Sequence, residues 1–250
     1  MRRAGPLALV GLLAYGLFLV GLVPARYVYG WVAPHVHELA LGDVAGSLWS
    51  GRAASVVVNG RDLGAADWQL RPQALLLGRL EYQLRWGGDL GQGQARVGRG
   101  VIGNAYVRQL HAELPAAALA KLFGSNIPVK LGGAVRADLK RVSFGGRWPD
   151  SASGEVVWEH AQLSEPVSMD LGAFTLQLED AKNGIRGVVN NKGGPLDVRG
   201  QATLDVNGRY EVTAKLRPVG PRSDQLRSML EYLGPRDARG RYSLALSGTL

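Results

Sequence analysis

"VRGQATLDVNGRYEVTAKL", residues 198–216, decides the fold class. Its apolar residues recur at every second position on both sides of Asn207-Gly208, which is the repeat of a strand with one greasy and one polar face. A two-residue type I′ turn at Asn207-Gly208 would set Val206 opposite Arg209. A three-residue loop of Val206, Asn207 and Gly208, with the glycine left-handed, sets Asp205 opposite Arg209 instead. Leu204 then meets Tyr210, Ala202 meets Val212 and Val198 meets Leu216, so the apolar residues share one face. The second register is the expected one.

The same alternation runs outward in both directions. Leu80, Tyr82, Leu84 and Trp86 alternate with Arg79, Glu81, Gln83 and Arg85. Val129, Leu131, Val135, Ala137 and Leu139 stand against Lys130, Arg136, Asp138 and Lys140; Phe174, Leu176 and Leu178 against Thr175, Gln177 and Glu179. Tyr242, Leu244 and Leu246 repeat it near the C-terminus. Roughly ten to thirteen sequential antiparallel strands follow from this pattern. Helical signals are short: "RPQALLLG" with Pro72 and Gly78, "LPAAALAKLFG" from Pro115 to Gly124, and "GPRSDQLRSMLEYLG" ending at Gly234. They are expected to lid open sheet ends.

Upstream, Ala4 to Ala25 carries no charge, and Leu7 to Val23 would span about 26 Å as a helix, enough to cross a bilayer. Arg2 and Arg3 precede it, while Arg26, Tyr27, Tyr29 and Trp31 follow where headgroups and an aromatic belt would lie. The apolar stretch exceeds a signal-peptide core, so an uncleaved anchor is expected. Gly11, Gly16 and Gly21 recur every fifth residue and share no helix face, which gives no dimerisation motif. The expected layout is therefore all-β: residues 1–30 as cytoplasmic tail, transmembrane helix and interfacial segment, then residues 31–250 as one periplasmic domain. That domain is a large, mostly antiparallel, rolled or groove-like sheet with two or three short helices.

Composition narrows the chemistry. The 250 residues carry a net charge of +8 and 35 glycines, about twice the usual share. That charge favours anionic partners, but no run of five basic residues occurs and the bases sit on alternate strand positions, so nucleic acid is not an expected partner. The absence of cysteine removes disulfides, thiolate metal sites and cysteine nucleophiles together.

Catalytic patterns fail on context. "GRGVIG", 98–103, matches a dinucleotide fingerprint, yet the next stretch alternates Tyr106, Leu110 and Leu114 in strand fashion where a helix is required. His35 and His37 lack a nearby third ligand, His111 and His160 stand alone, and Glu155 and Glu159 flank Trp158 on an ordinary strand. No metal, cofactor or catalytic residue is expected. Trp68 and Trp86 share apolar faces with Leu70 and Leu84 and read as packing residues. Trp49 reads as a large ring for which Gly46 and Gly51 leave room.

Two elements carry a resemblance. "GSLWSG" presents Gly46, Ser47, Leu48, Trp49 and Gly51; "WQLRPQALLLGRL" presents Trp68, Leu70, Pro72, Leu75, Leu76, Gly78 and Leu80. In this pairing behind a single membrane span, the chain resembles the protein N family of bacterial type II secretion systems. The resemblance implies a non-enzymatic inner-membrane component that scaffolds or assists assembly for export of folded proteins, with other envelope proteins of the system as partners. Similar Gly-Trp elements occur in AsmA-like envelope proteins. That gives the alternative of a β-groove that binds or transfers lipid, with Leu80, Tyr82, Leu84 and Trp86 as its candidate lining.

Overall fold

A computed structural model of the chain describes residues 25, 39–58, 60–101, 103–123, 130–165, 169–220, 230 and 235–249. The expected span at 7–23, the pair His35 and His37, and all of the third expected helix except Leu230 lie outside them. Among the described residues no helix is long and apolar enough to cross a membrane.

The fold is β throughout. A small sheet has the order β1 (Leu39–Gly42), β4 (Ser55–Val58), β5 (Arg61–Asp62). The main sheet has 13 strands. Its first part comprises β2 (Ala45–Gly46), β3 (Ser50–Ala53), β6 (Ala65–Leu70), β7 (Arg79–Gly88), β8 (Gly91–Gly100) and β9 (Ala105–Pro115). Its second part comprises β10 (Lys130–Phe144), β11 (Ser151–Glu165), β12 (Met169–Ala181), β13 (Gly184–Lys192), β14 (Leu196–Asp205), β15 (Arg209–Pro218) and β16 (Tyr242–Thr249). Every pairing is antiparallel between spatial neighbours, and the order runs linearly from β16 to β2. Strands outnumber the expectation because β1 to β5, two to four residues each, are too short to leave a periodic signal.

The 198–216 hairpin has the expected register, with Leu204 opposite Tyr210, Ala202 opposite Val212 and Val198 opposite Leu216. Gly208 is left-handed at φ +81°, and Asp205 caps the loop by accepting from the amides of Asn207 and Arg209. Antiparallel partners project to the same side, so pairing propagates one apolar face across the sheet. Trp68, Leu84 and Ala95 form one such row, Val135, Trp158 and Phe174 another, and Val198, Leu216 and Tyr242 a third. The opposite face carries Asp67, Arg85, Gln94, His111 and Asp138 in a single row. The best-packed part of the apolar face gathers Ala161, Met169 and Leu171 with Trp158, Leu163, Phe174 and Leu196 around them.

Register shifts break the simple alternation at several points between β8 and β12, two of them at non-glycine residues in left-handed conformation. Gln109 on β9 and His160 on β11 have φ of +48° and +50°, at points where the register slips by one residue. The slip at Gln109 corrects the expectation for Tyr106. It does not share a face with Leu110 and Leu114 but turns to the polar side, where it meets Gly98 and Glu81.

All connections at one end of the main sheet form a rim. It holds the β2–β3 turn, the β6–β7 link, the β8–β9 and β10–β11 turns and the β12–β13 and β14–β15 turns. The small sheet leaves from the opposite end, below Ala53, so the chain enters there. The rim is drawn together: the indole of Trp148, in the β10–β11 turn, occupies the place a Cβ of Gly208 would take in the β14–β15 turn. On a flat sheet those turns would stand about 19 Å apart, four strand spacings.

Among the described residues the bounded helices are α1 (Pro72–Leu75) and α2 (Ala116–Phe123). α2 buries Ala116 and Ala118. α1 differs from its expected role as a lid, because it buries only Ala74 and leaves Leu75, Leu76 and Leu77 exposed.

Candidate functional site

The two motif elements interlock through β3 and β6. Gly51 pairs with Trp68, and the Trp68 ring lies over Gly51 so closely that a Cβ there would fall on it. The indole N–H donates to the Ser47 carbonyl at 3.1 Å, and the Leu70 amide donates to the Trp49 carbonyl at 2.6 Å. Ser47 closes the turn by accepting from the amides of Trp49 and Ser50. Gly46 is required for its own reason: φ is +90°, and a Cβ would stand 2.6 Å from the Ser50 carbonyl oxygen. The reading of Trp49 as the ring that needs Gly51 is thus corrected. The ring is Trp68, which sequence proximity concealed because it lies 17 positions downstream and arrives by strand pairing.

This device recurs. Trp86 lies over its cross-strand partner Gly93, Tyr106 over Gly98 and Tyr210 over Gly248. An aromatic ring laid on a partner glycine shields backbone that a bare glycine would leave wet.

Pro72 opens α1, and Gly78 closes it at φ +66°, with its carbonyl accepting from Val101 N–H. Arg71, between Leu70 and Pro72, reaches Glu81. Its amide donates to the Glu81 carbonyl at 2.8 Å, and its guanidinium lies 2.5 Å from Glu81 Oε1. Tyr106 donates to Glu81 Oε2 at 2.9 Å. Gly98 makes this bond possible, because a Cβ there would meet the Tyr106 hydroxyl at 2.7 Å. Glu81 is the one buried charged side chain among the described residues, 5% exposed. Burial pushes its carboxyl up, but the bonds from Tyr106 and Arg71 and the charges of Arg71 and Arg96 outweigh that and leave it below its ordinary value. Burial, and then the neighbouring Glu81, push the Tyr106 hydroxyl up. Arg108 covers the Tyr106 ring at 4.5 Å. The sequence reading missed this network; a glutamate on the polar side of an alternating strand gives no signal of burial.

Leu80, Tyr82, Leu84 and Trp86 do share one face of β7, which continues through Val97 and Ala95 into β8. Tyr82, Leu84 and Trp86 are half-buried and Leu80 is 47% exposed, so this stripe is not sealed. Burial raises the Tyr82 hydroxyl. Beneath α1 on the polar face, a cleft of about 630 Å³ is lined by Arg71, Arg85, Arg96, His111 and several glutamines, with no carboxylate.

Of the remaining candidates, His111 Nδ1 lies 2.5 Å from Asp138, and Glu159 accepts from Arg136, which also binds Glu113. Glu155 stands opposite Asp138 on the solvated face, and Trp158 donates to the Gly132 carbonyl. After "GRGVIG" comes β9, a strand. No cluster of three metal-ligating side chains occurs among the described residues.

The chain is 31% identical over 230 residues to "Type II secretion system protein N" of Vibrio cholerae serotype O1, covering 87% of each. It is 28% identical over 256 residues to the protein of that name from Aeromonas hydrophila, covering 100% of each, and 24% identical to that of Klebsiella pneumoniae over 93% of the chain and 92% of the relative. No solved structure gives a significant match. The family model described as "Type II secretion system (T2SS), protein N" matches residues 37–245, from just before β1 into β16. The chain belongs to the type II secretion system protein N family.

Proposed function

We propose that the chain is a non-enzymatic scaffold of the secretion system, held in the inner membrane by residues 7–23, with its N-terminus cytoplasmic and residues 31–250 periplasmic. There it contacts other envelope proteins of the apparatus and assists assembly for export of folded proteins. The observation that carries this reading is the family match across both sheets, 37–245, in a chain whose motif residues are spent on positioning strands. The uncharged stretch from Ala4 to Ala25, with Arg2 and Arg3 before it, supports the orientation.

The natural lack of cysteine gives a direct test. A single Ser243→Cys variant on β16 should react with a membrane-impermeant maleimide in cells whose outer membrane alone is permeabilised. Labelling that needs lysis of the inner membrane would refute the topology. Deleting the gene should reduce release of exported proteins, and unchanged release would refute the secretion role.

A second reading, a groove that binds lipid, is favoured by the unsealed stripe of Leu80, Tyr82, Leu84 and Trp86. Native mass spectrometry separates the two. Phospholipid retained by the unmodified chain and lost on Leu84→Arg favours the groove, and a chain that never carries lipid excludes it.

A further inference from the structure

Exposed large apolar side chains are not scattered over this molecule. Among the described residues all but Leu246 lie at the rim. Leu76 is 88% exposed and Leu77 72%, beside Leu75 and Leu80; Val101, in the adjoining β8–β9 turn, is 85% exposed. Val206 projects from the β14–β15 turn, whereas Leu246 lies mid-strand on the edge strand β16. At the opposite end, where the chain enters, none is found among the residues whose side chains are described.

Charge at the rim is basic on balance, with exposed bases outnumbering the carboxylates Asp150, Glu179, Asp180 and Asp205. Arg79, Arg99, Arg147, Lys182 and Arg209 are exposed there. The neighbouring carboxylates are already engaged: Asp150 accepts from Asn104, Asp180 from Arg141, and Asp205 from its own turn amides. Glu179 stands opposite Arg186.

Two features select the occupant. The apolar tips are spread along the rim from the β6–β7 link to the β14–β15 turn with bases between them, whereas a protein partner needs a contiguous patch of about 800 Å² per side. A second copy would bring the same five bases against each other. A fluid surface with negative headgroups fits both the spacing and the charge. We propose that the rim is a lipid-contacting edge: the leucines of α1 with Val101 and Val206 enter the interfacial layer of an anionic bilayer, and the bases between them hold its headgroups. Since the chain enters at the far end, contact with the bilayer reached by residues 7–23 would lay the strands along the membrane instead of standing them on it. The proposal goes beyond the secretion role, and its readout does not depend on secretion.

The test uses the full-length chain in phosphatidylcholine vesicles with and without phosphatidylglycerol, carrying an environment-sensitive dye at Leu76→Cys, at Val101→Cys, or at the control Ser243→Cys. With phosphatidylglycerol, emission at 76 and 101 should rise at least about threefold and be quenched by a bilayer-embedded nitroxide, while 243 stays unchanged. High salt on the unmodified rim, and separately Arg79→Glu with Arg99→Glu, should each lower that rise. Three results would overturn the proposal. Dyes at 76 and 101 could stay as wet as in buffer. They could become shielded with rising protein concentration and no lipid, which marks a second copy. Or they could be shielded yet beyond reach of the nitroxide, which marks a protein cover.

Discussion

The part of the main sheet before residue 124 and the part after residue 129 solve the same problem differently. From β2 to β9 the strands are held by specific pieces: Trp68 on Gly51, Trp86 on Gly93, Tyr106 on Gly98, and the buried Glu81 between Arg71 and Tyr106. From β10 to β16 such rings are fewer, with Tyr210 on Gly248 at the far edge, and the long strands pair mainly by alternation, around Met169 and the stacked rings of Trp158 and Phe174. A ring lying on a glycine constrains two identities at once, whereas an alternating pair asks only for apolar against apolar. This explains why the recognisable motifs stop early, although the family match runs to residue 245.

The largest expected effect tests that contrast directly. At Gly51 a Cβ would meet the Trp68 ring and stand 2.6 Å from the Ala45 carbonyl, so backbone must move. Gly51→Ala should cost about 3 kcal/mol in urea unfolding. At Gly187 the nearest obstacle is the flexible end of Leu176, and Gly187→Ala should cost less than about 1 kcal/mol. Equal losses would break the comparison.

Glu81→Gln comes next. It removes the charge that Arg71 and Tyr106 were placed to meet, at a site with Arg71 partly solvated, and should cost about 2 kcal/mol near pH 7. Its pH dependence has a definite sign. The folded-state value lies below the unfolded one, so the contribution is full above about pH 4.3 and is lost as pH falls through the lower folded value. Stability of the parent chain should therefore drop across that acid window more steeply than that of Glu81→Gln. Parallel curves would remove Glu81 from the account. In the second part, Arg136→Gln should leave stability nearly unchanged, because Arg136 and its partners are solvated.

What was legible follows the same division. The 198–216 register could be read because period two and an Asp-x-x-Gly loop agree on a single pairing. The burial of Glu81 could not be read, since it depends on Arg71 and Tyr106 arriving from two other elements. The bulges at Gln109 and His160 put left-handed backbone on residues that do not advertise it, and so Tyr106 was placed on the wrong face. The exposed leucines of α1 were hidden by their own hydrophobicity, which normally signals burial.

An effect between those of Glu81→Gln and Arg136→Gln should come from the packed cluster. Trp158 and Phe174 stack with centroids 5.7 Å apart on a half-buried face. Phe174→Leu keeps the apolar area and loses the ring pair, so it should cost about 1 kcal/mol in urea unfolding. A loss as large as that of Gly51→Ala would show that this part, too, depends on particular partners.

The smallest effect belongs to two turns that share one design. "DVNGR" at 205–209 and "DARGR" at 237–241 each place an aspartate that accepts from the amides two and four residues on, with glycine left-handed at φ +81° and +70°. Each carboxyl is held below its usual value, first by the bond from the arginine amide, against a smaller desolvation. Asp205→Ala and Asp237→Ala should speed hydrogen exchange at the Arg209 and Arg241 amides with little change in global stability, because both turns are exposed. Asp205→Asn keeps an acceptor without the charge, so its exchange should be slower than that of the alanine variant. The carboxylate's contribution is present above about pH 3.9 and fades as pH falls through the lower folded value; the asparagine variant should show no such dependence. If the alanine changes lowered global stability as much as Gly51→Ala, the second part of the sheet would be governed by its turns, and plain alternation would not be enough to hold it.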